Sequence, residues 1–95
     1  MVYNEILRLK EMLERANIKF YFEAVSDGYR MAYLGADDVC ICSIVEHQGS
    51  YGSDEDLLEI MGLLTGDELL LDEVLGHLTA EEVFERVMKH EKEQM

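Results

Sequence analysis

The stretch IKFYFEAVSDGYRMAYL, residues 18–34, decides the fold. Apolar residues alternate on either side of Ser26-Asp27-Gly28, and an Asp-Gly pair favours a two-residue hairpin turn. The spacing predicts a β-hairpin with Asp27 and Gly28 as a type I′ loop. Ser26 then faces Tyr29, Ala24 faces Met31 and Phe22 faces Tyr33. In that register Ile18, Phe20, Phe22 and Ala24 share one face with Tyr29, Met31 and Tyr33, and a one-residue slip would break the match.

Upstream, Ile6, Leu9, Leu13 and Ala16 recur at helical spacing and predict a helix over 5–16. Asn4 is its expected N-cap, and Asn17 suits a left-handed residue ending it. Downstream, Gly35 to Asp38 reads as a turn. Residues 39–45, apolar at nearly every position, read as a third strand, either buried on both faces or an edge covered by other elements. Glu46 to Ser53 reads as a loop.

A helix is expected from Asp54 to Leu64, with Ser53 as N-cap, Asp56 at the capping-box position and Leu57, Leu58, Met61 and Leu64 on its apolar face. Gly62 within it implies close packing on another backbone. Thr65 and Glu68 repeat the capping-box spacing and predict a short helical turn through Leu71. Residues 72–78 carry no clear signal. Thr79 and Glu82 open a last helix, with Leu78 packing on Val83 and a stripe of Val83, Phe84, Val87 and Met88. The expected fold is one α+β domain over 1–95: an N-terminal helix, a three-stranded antiparallel meander, then two or three C-terminal helices packed on the sheet.

The 95 residues include 21 acids and 8 bases, for a net charge of −13, with 48% apolar residues, no Pro and two Cys. This composition excludes disordered acidic tails, disulfide-dense scaffolds and basic nucleic-acid binders. The charge is uneven. Residues 1–30 are neutral, residues 31–85 hold fourteen acids and no Lys or Arg, and residues 86–95 carry a small positive excess. A base-free block of this length serves solubility or presents a negative face to a basic partner. No apolar run reaches the roughly 18–20 residues that span a bilayer, and the polar start Tyr3-Asn4-Glu5 predicts no secretory signal. With Cys40 and Cys42 poorly placed for a disulfide, a cytoplasmic setting is expected.

No residue pattern points firmly to catalysis. The loop with Gly49 and Gly52 leads into Asp54, Glu55 and Asp56, whose charges repel a phosphate, and it lacks a P-loop Lys. Glu46 and His47 are adjacent, so on a strand they point to opposite faces and would not readily pair; with Ser50, Tyr51 or Cys42 beside them no catalytic signature appears, and a structural or surface role is expected for both. Cys40, Cys42, His47 and His77 fit no zinc spacing, and the cysteines read as core. The acidic pairs lack the spacing of a calcium loop. No metal, cofactor or catalytic residue is therefore expected. Leu69, Leu70 and Leu71 cannot all face one core from a helix. Burial under a loop is the simpler expectation, and an exposed Leu would support a dimer or partner contact.

The segments HQGSYG (47–52), DLLEIMGLLT (56–65) and VLGHLTAEEVFER (74–86) resemble an uncharacterised family of small acidic phage and prophage proteins. His77 stands where an aromatic such as Tyr is expected. The resemblance implies phage origin and the cytoplasm of an infected bacterium, and carries over no activity. The expected function is a non-enzymatic acidic module that binds a basic host or phage protein, one version being a phage-encoded inhibitor that mimics DNA. It would make no direct contact with nucleic acid or membrane. Asp54, Glu55, Asp56, Glu59, Asp67, Glu68, Asp72 and Glu73 are the expected contacts. A homodimeric structural or assembly protein, joined through Leu69–Leu71 or a sheet edge, is the alternative. A small enzyme using the His47 loop ranks third.

Overall fold

Ser26 and Asp27, rather than Asp27 and Gly28, turn the hairpin of β1 (Phe20–Val25) and β2 (Gly28–Leu34) in the computed structural model, which describes residues 3–94. The pairs are Phe20 with Tyr33, Phe22 with Met31 and Ala24 with Tyr29. Each partner lies two positions from the one expected, which keeps every side chain on its predicted face. Neither Ser26 nor Asp27 has a positive φ, so the turn is not type I′. Gly28 is needed inside the strand: opposite His47, a Cβ on it would lie 2.2 Å from the Glu46 carbonyl oxygen.

Among the described residues the sheet has five strands, not three. β3 (Cys40–His47), β4 (Leu58–Met61) and β5 (Val74–Leu78) continue the meander, and every neighbouring pair is antiparallel in the order β1-β2-β3-β4-β5. The third strand runs two residues further than expected, taking in Glu46 and His47. Its inner face is buried at Cys42, Ile44 and Glu46, while its outer face is only half-buried. Cys40, expected in the core, is exposed beyond a register shift at Leu34.

The helix expected over 54–64 does not form. Ser53–Glu55 makes a single 3-10 turn, and Asp56, Gly62 and Leu63 take left-handed dihedrals incompatible with a continuous helix. Between these breaks Leu58 and Ile60 alternate inward, with Ile60 opposite Ile44 and Leu58 opposite Leu78. Four residues of strand bury two large apolar groups against neighbours on both sides. The apolar run 57–64 fits either period, and tertiary pairing decides between them. The stretch without a signal becomes β5. Gly62 does pack on backbone: a Cβ there would sit 2.4 Å from the Ile41 carbonyl oxygen.

α1 (Glu5–Arg15) and α3 (Ala80–Glu93) pack on each other and on one face of the sheet. Ile6, Leu9, Leu13, Ala80, Val83 and Val87 meet Met31, Tyr33, Cys42, Ile44, Leu58 and Ile60 in one core. Met88 is exposed, so the α3 stripe is narrower than expected. Thr79 and Glu82 form the expected capping box, and Asn17 is left-handed at φ 56°. Asn4 makes no side-chain cap on α1. The short α2 (Gly66–Leu71) bridges β4 and β5. No helix among the described residues is long and apolar enough to cross a membrane.

Gly62→Ala should destabilise the protein by about 2–4 kcal/mol, since it adds both a left-handed strain and a backbone clash. Gly66→Ala, with open space around it, should be neutral or gain up to about 1 kcal/mol. Urea unfolding of the two variants checks the contrast.

Candidate functional site

The eight expected contact carboxylates do not form one surface. Asp54 and Glu55 are exposed in the 3-10 turn, at the end of the sheet where Gly28 faces His47. Asp67, Asp72 and Glu73 are exposed around α2, at the opposite end, where Met61 pairs with Val74. Three others serve the fold. Glu59 Oε1 accepts from the Tyr51 amide at 3.0 Å, Asp56 caps α1, and Glu68 is bonded twice to Arg86.

That last contact explains how α2 is held. Thr65 and Glu68 form a capping box, with the Thr65 amide 2.8 Å from Glu68 Oε1 and the Glu68 amide 3.2 Å from Thr65 Oγ1. Arg86, the first base after the base-free block, grips Glu68 at 2.8 and 2.7 Å and donates to the Leu63 carbonyl at 2.9 Å. The Arg86 guanidinium and the Thr65 amide hold the Glu68 carboxyl down at about 2. α2 is thus pinned to α3 by its polar side. Its leucines face away: Leu69 is 55% exposed, Leu70 84% and Leu71 88%. The expectation that they sit under a loop is overturned for all three. Carboxylates rim the patch and its own segment carries no base.

At the other end two carboxyl groups meet the start of α1. Asp56 Oδ1 accepts from the amides of Asn4 (2.8 Å) and Glu5 (3.1 Å), and Glu46 Oε1 accepts from the Ile6 amide at 3.1 Å. Glu5 in turn accepts from the Ala80 amide at 2.6 Å, so α1 caps α3. Glu46 is fully buried, and as a carboxylate its Oε2 has nothing to accept from among the described residues. Burial and the neighbouring Asp56 push its carboxyl up to about 8, against the Ile6 amide. Burial also raises Asp56, but the neighbouring Glu46 and the hydrogen bonds from the Glu5 and Asn4 amides outweigh it and hold Asp56 below the ordinary range. A cavity of about 650 Å³ opens beside this cluster, lined by Tyr3, Asp27, Tyr29, Gln48 and Asp54 among others.

The remaining polar candidates are not assembled for chemistry. The Ser50 hydroxyl bonds to the His47 backbone, donating to its carbonyl at 2.8 Å and accepting from its amide at 3.1 Å. The His47 ring lies 2.9 Å from the Gln48 carbonyl instead. Burial pushes the Cys42 thiol up to about 12, away from a nucleophilic thiolate. No three His, Cys, Asp or Glu residues among those described are placed to hold a metal ion.

No family model matches the chain, and neither the curated proteins nor the solved structures give a match. The sequence signal for Glu46 is parity: it is the next inward position after Cys42 and Ile44 on a strand that continues past Val45. The Glu68–Arg86 pair leaves no local signal, because its partners are eighteen residues apart.

Arg86→Gln should cost about 1–2 kcal/mol by leaving Glu68 partly buried and unpaired. Because Glu68 is held low, its contribution is present above the ordinary carboxylate range and is lost as pH falls toward 2. Arg86→Gln should flatten that acid limb in a thermal-melting series and speed amide exchange across residues 66–71.

Proposed function

We propose that the protein is a non-enzymatic binding module whose α2 leucines enter an apolar slot rimmed by Lys and Arg on a partner protein. The observation that carries this reading is the trio Leu69, Leu70 and Leu71, held outward by the Glu68–Arg86 clamp. Burying such a side chain on a partner contributes about 1.5–3 kcal/mol, enough for a few anchors to dominate an interface. Asp67, Asp72 and Glu73 around the patch select a basic rim and speed association. Pairing of two copies through the same patch is less favoured, since it would set these acids against themselves. The finer form of the reading is a phage-encoded inhibitor acting in the host cytoplasm. Duplex mimicry draws less support, because Asp56, Glu59 and Glu68 already serve the fold and thin any row of carboxylates.

The test is affinity capture followed by measurement with the purified partner. Leu70→Asp with Leu71→Asp should weaken binding by about 100-fold or more, and lysines at 67, 72 and 73 should slow association by about tenfold and reverse its salt dependence. Melting temperature should barely change, since these side chains are exposed. A partner indifferent to both sets would refute the reading. A dimer at micromolar concentration that Leu70→Asp dissolves would install the homodimeric alternative in its place.

A further inference from the structure

We infer that one proton held between Glu46 and Asp56 is a latch that keeps the start of α1 closed on the β3–β4 connection. The geometry demands a proton there. Glu46 is fully buried, its Oε1 receives the Ile6 amide, and its Oε2 finds no donor among the described residues. Asp56, its neighbour, is already receiving two amides through Oδ1. A second bare carboxylate beside the buried Glu46 would repel it, whereas an acid and a carboxylate form a charge-assisted hydrogen bond. The protonated Glu46 therefore donates to Asp56, and Asp56 keeps its charge for the Asn4 and Glu5 amides.

The other groups around the pair favour the same state. Glu5 adds a further negative charge from α1, and its own nearest base, Arg8, is shared with Glu81. The phenol of Tyr3 lies within the field of Glu46, Asp27 and Asp54. On β2 the cross-strand neighbour of Glu46 is Tyr29, and His47 points to the opposite face of β3. Among the described residues no base is bonded to Glu46 to hold it ionised.

Loss of the proton to bulk water leaves two adjacent carboxylates at one helix terminus. The chain relieves the repulsion by parting Asp56 from Asn4 and Glu5. Tyr3 and Asp54 flank that contact in sequence and line the neighbouring cavity, so release of the latch reshapes the cavity mouth. The sign follows from linkage. The unfolded chain ionises Glu46 near 4.5 while the folded chain keeps the proton to about 8. Stability therefore falls as pH rises through that window, and levels off above it.

Carbon-detected carboxyl NMR of the full chain, with amide exchange corrected for intrinsic rates, tests the latch. Glu46 should titrate above pH 7, and the amides of Asn4, Glu5 and Ile6 should lose protection over the same range. Glu46→Gln, which can still accept from Ile6 and donate to Asp56, should abolish that loss. Asp56→Asn removes the facing charge and should lower the Glu46 midpoint by about one unit or more, a change that a purely packing role would not produce. The inference fails if Glu46 titrates near 4–5, or if exchange at residues 4–6 ignores its titration. Should Glu46→Gln not fold, the wild-type and Asp56→Asn titrations still decide the matter.

Discussion

Two carboxyl groups close the N-terminus of α1, and the placement of nearly everything else follows from them. The first amides of a helix have no partner within it, and leaving them buried and unpaired costs roughly 1–3 kcal/mol each. Here the Asn4, Glu5 and Ile6 amides are received by Asp56 and Glu46, which belong to the β3–β4 connection and to β3. The helix is thereby seated by the sheet that it covers, with Ile6, Leu9 and Leu13 turned into the core. Glu5 then passes the same service to Ala80 at the start of α3. One chain of acid-to-amide contacts thus sets both helices on the same face.

What the sequence disclosed and what it withheld divide along the range of the interactions. Capping at Thr65 and Thr79 depends on residues three apart, and both boxes are present as read. The face assignment in the first hairpin survives because parity is robust, although the turn moves by one residue to place Gly28 against β3. β4 was hidden because four residues cannot distinguish a strand from part of a helix. Its identity comes from Ile44 and Leu78, which are far away in the chain. The helix-capping role of Asp56 was invisible for the same reason: its partners lie more than fifty residues upstream.

The candidate surface shows the same division. That three successive leucines could not share one core was legible from helical geometry. That all three would be exposed was not, since it depends on Arg86 reaching back to Glu68 and fixing which side of α2 faces the fold. The base-free block looks unpaired when read as a segment. In space it draws partners from its flanks: Arg86 for Glu68, Arg8 for Glu81 and Lys19 for Asp38.

The two long helices also run in the same direction. Both begin beside Glu5 and Ala80, and both end near the Phe20–Tyr33 pair, where the Tyr33 hydroxyl bonds Glu91 and lies 2.9 Å from His90 Nδ1. Parallel helices add their macrodipoles, so one end of the molecule carries the partial positive charge of two N-termini. Asp56, Glu5 and the capping Glu82 sit at that end and offset it. Part of the formal charge is thus an internal counter-charge to the backbone, and the charge a partner feels there is smaller than the count of carboxylates.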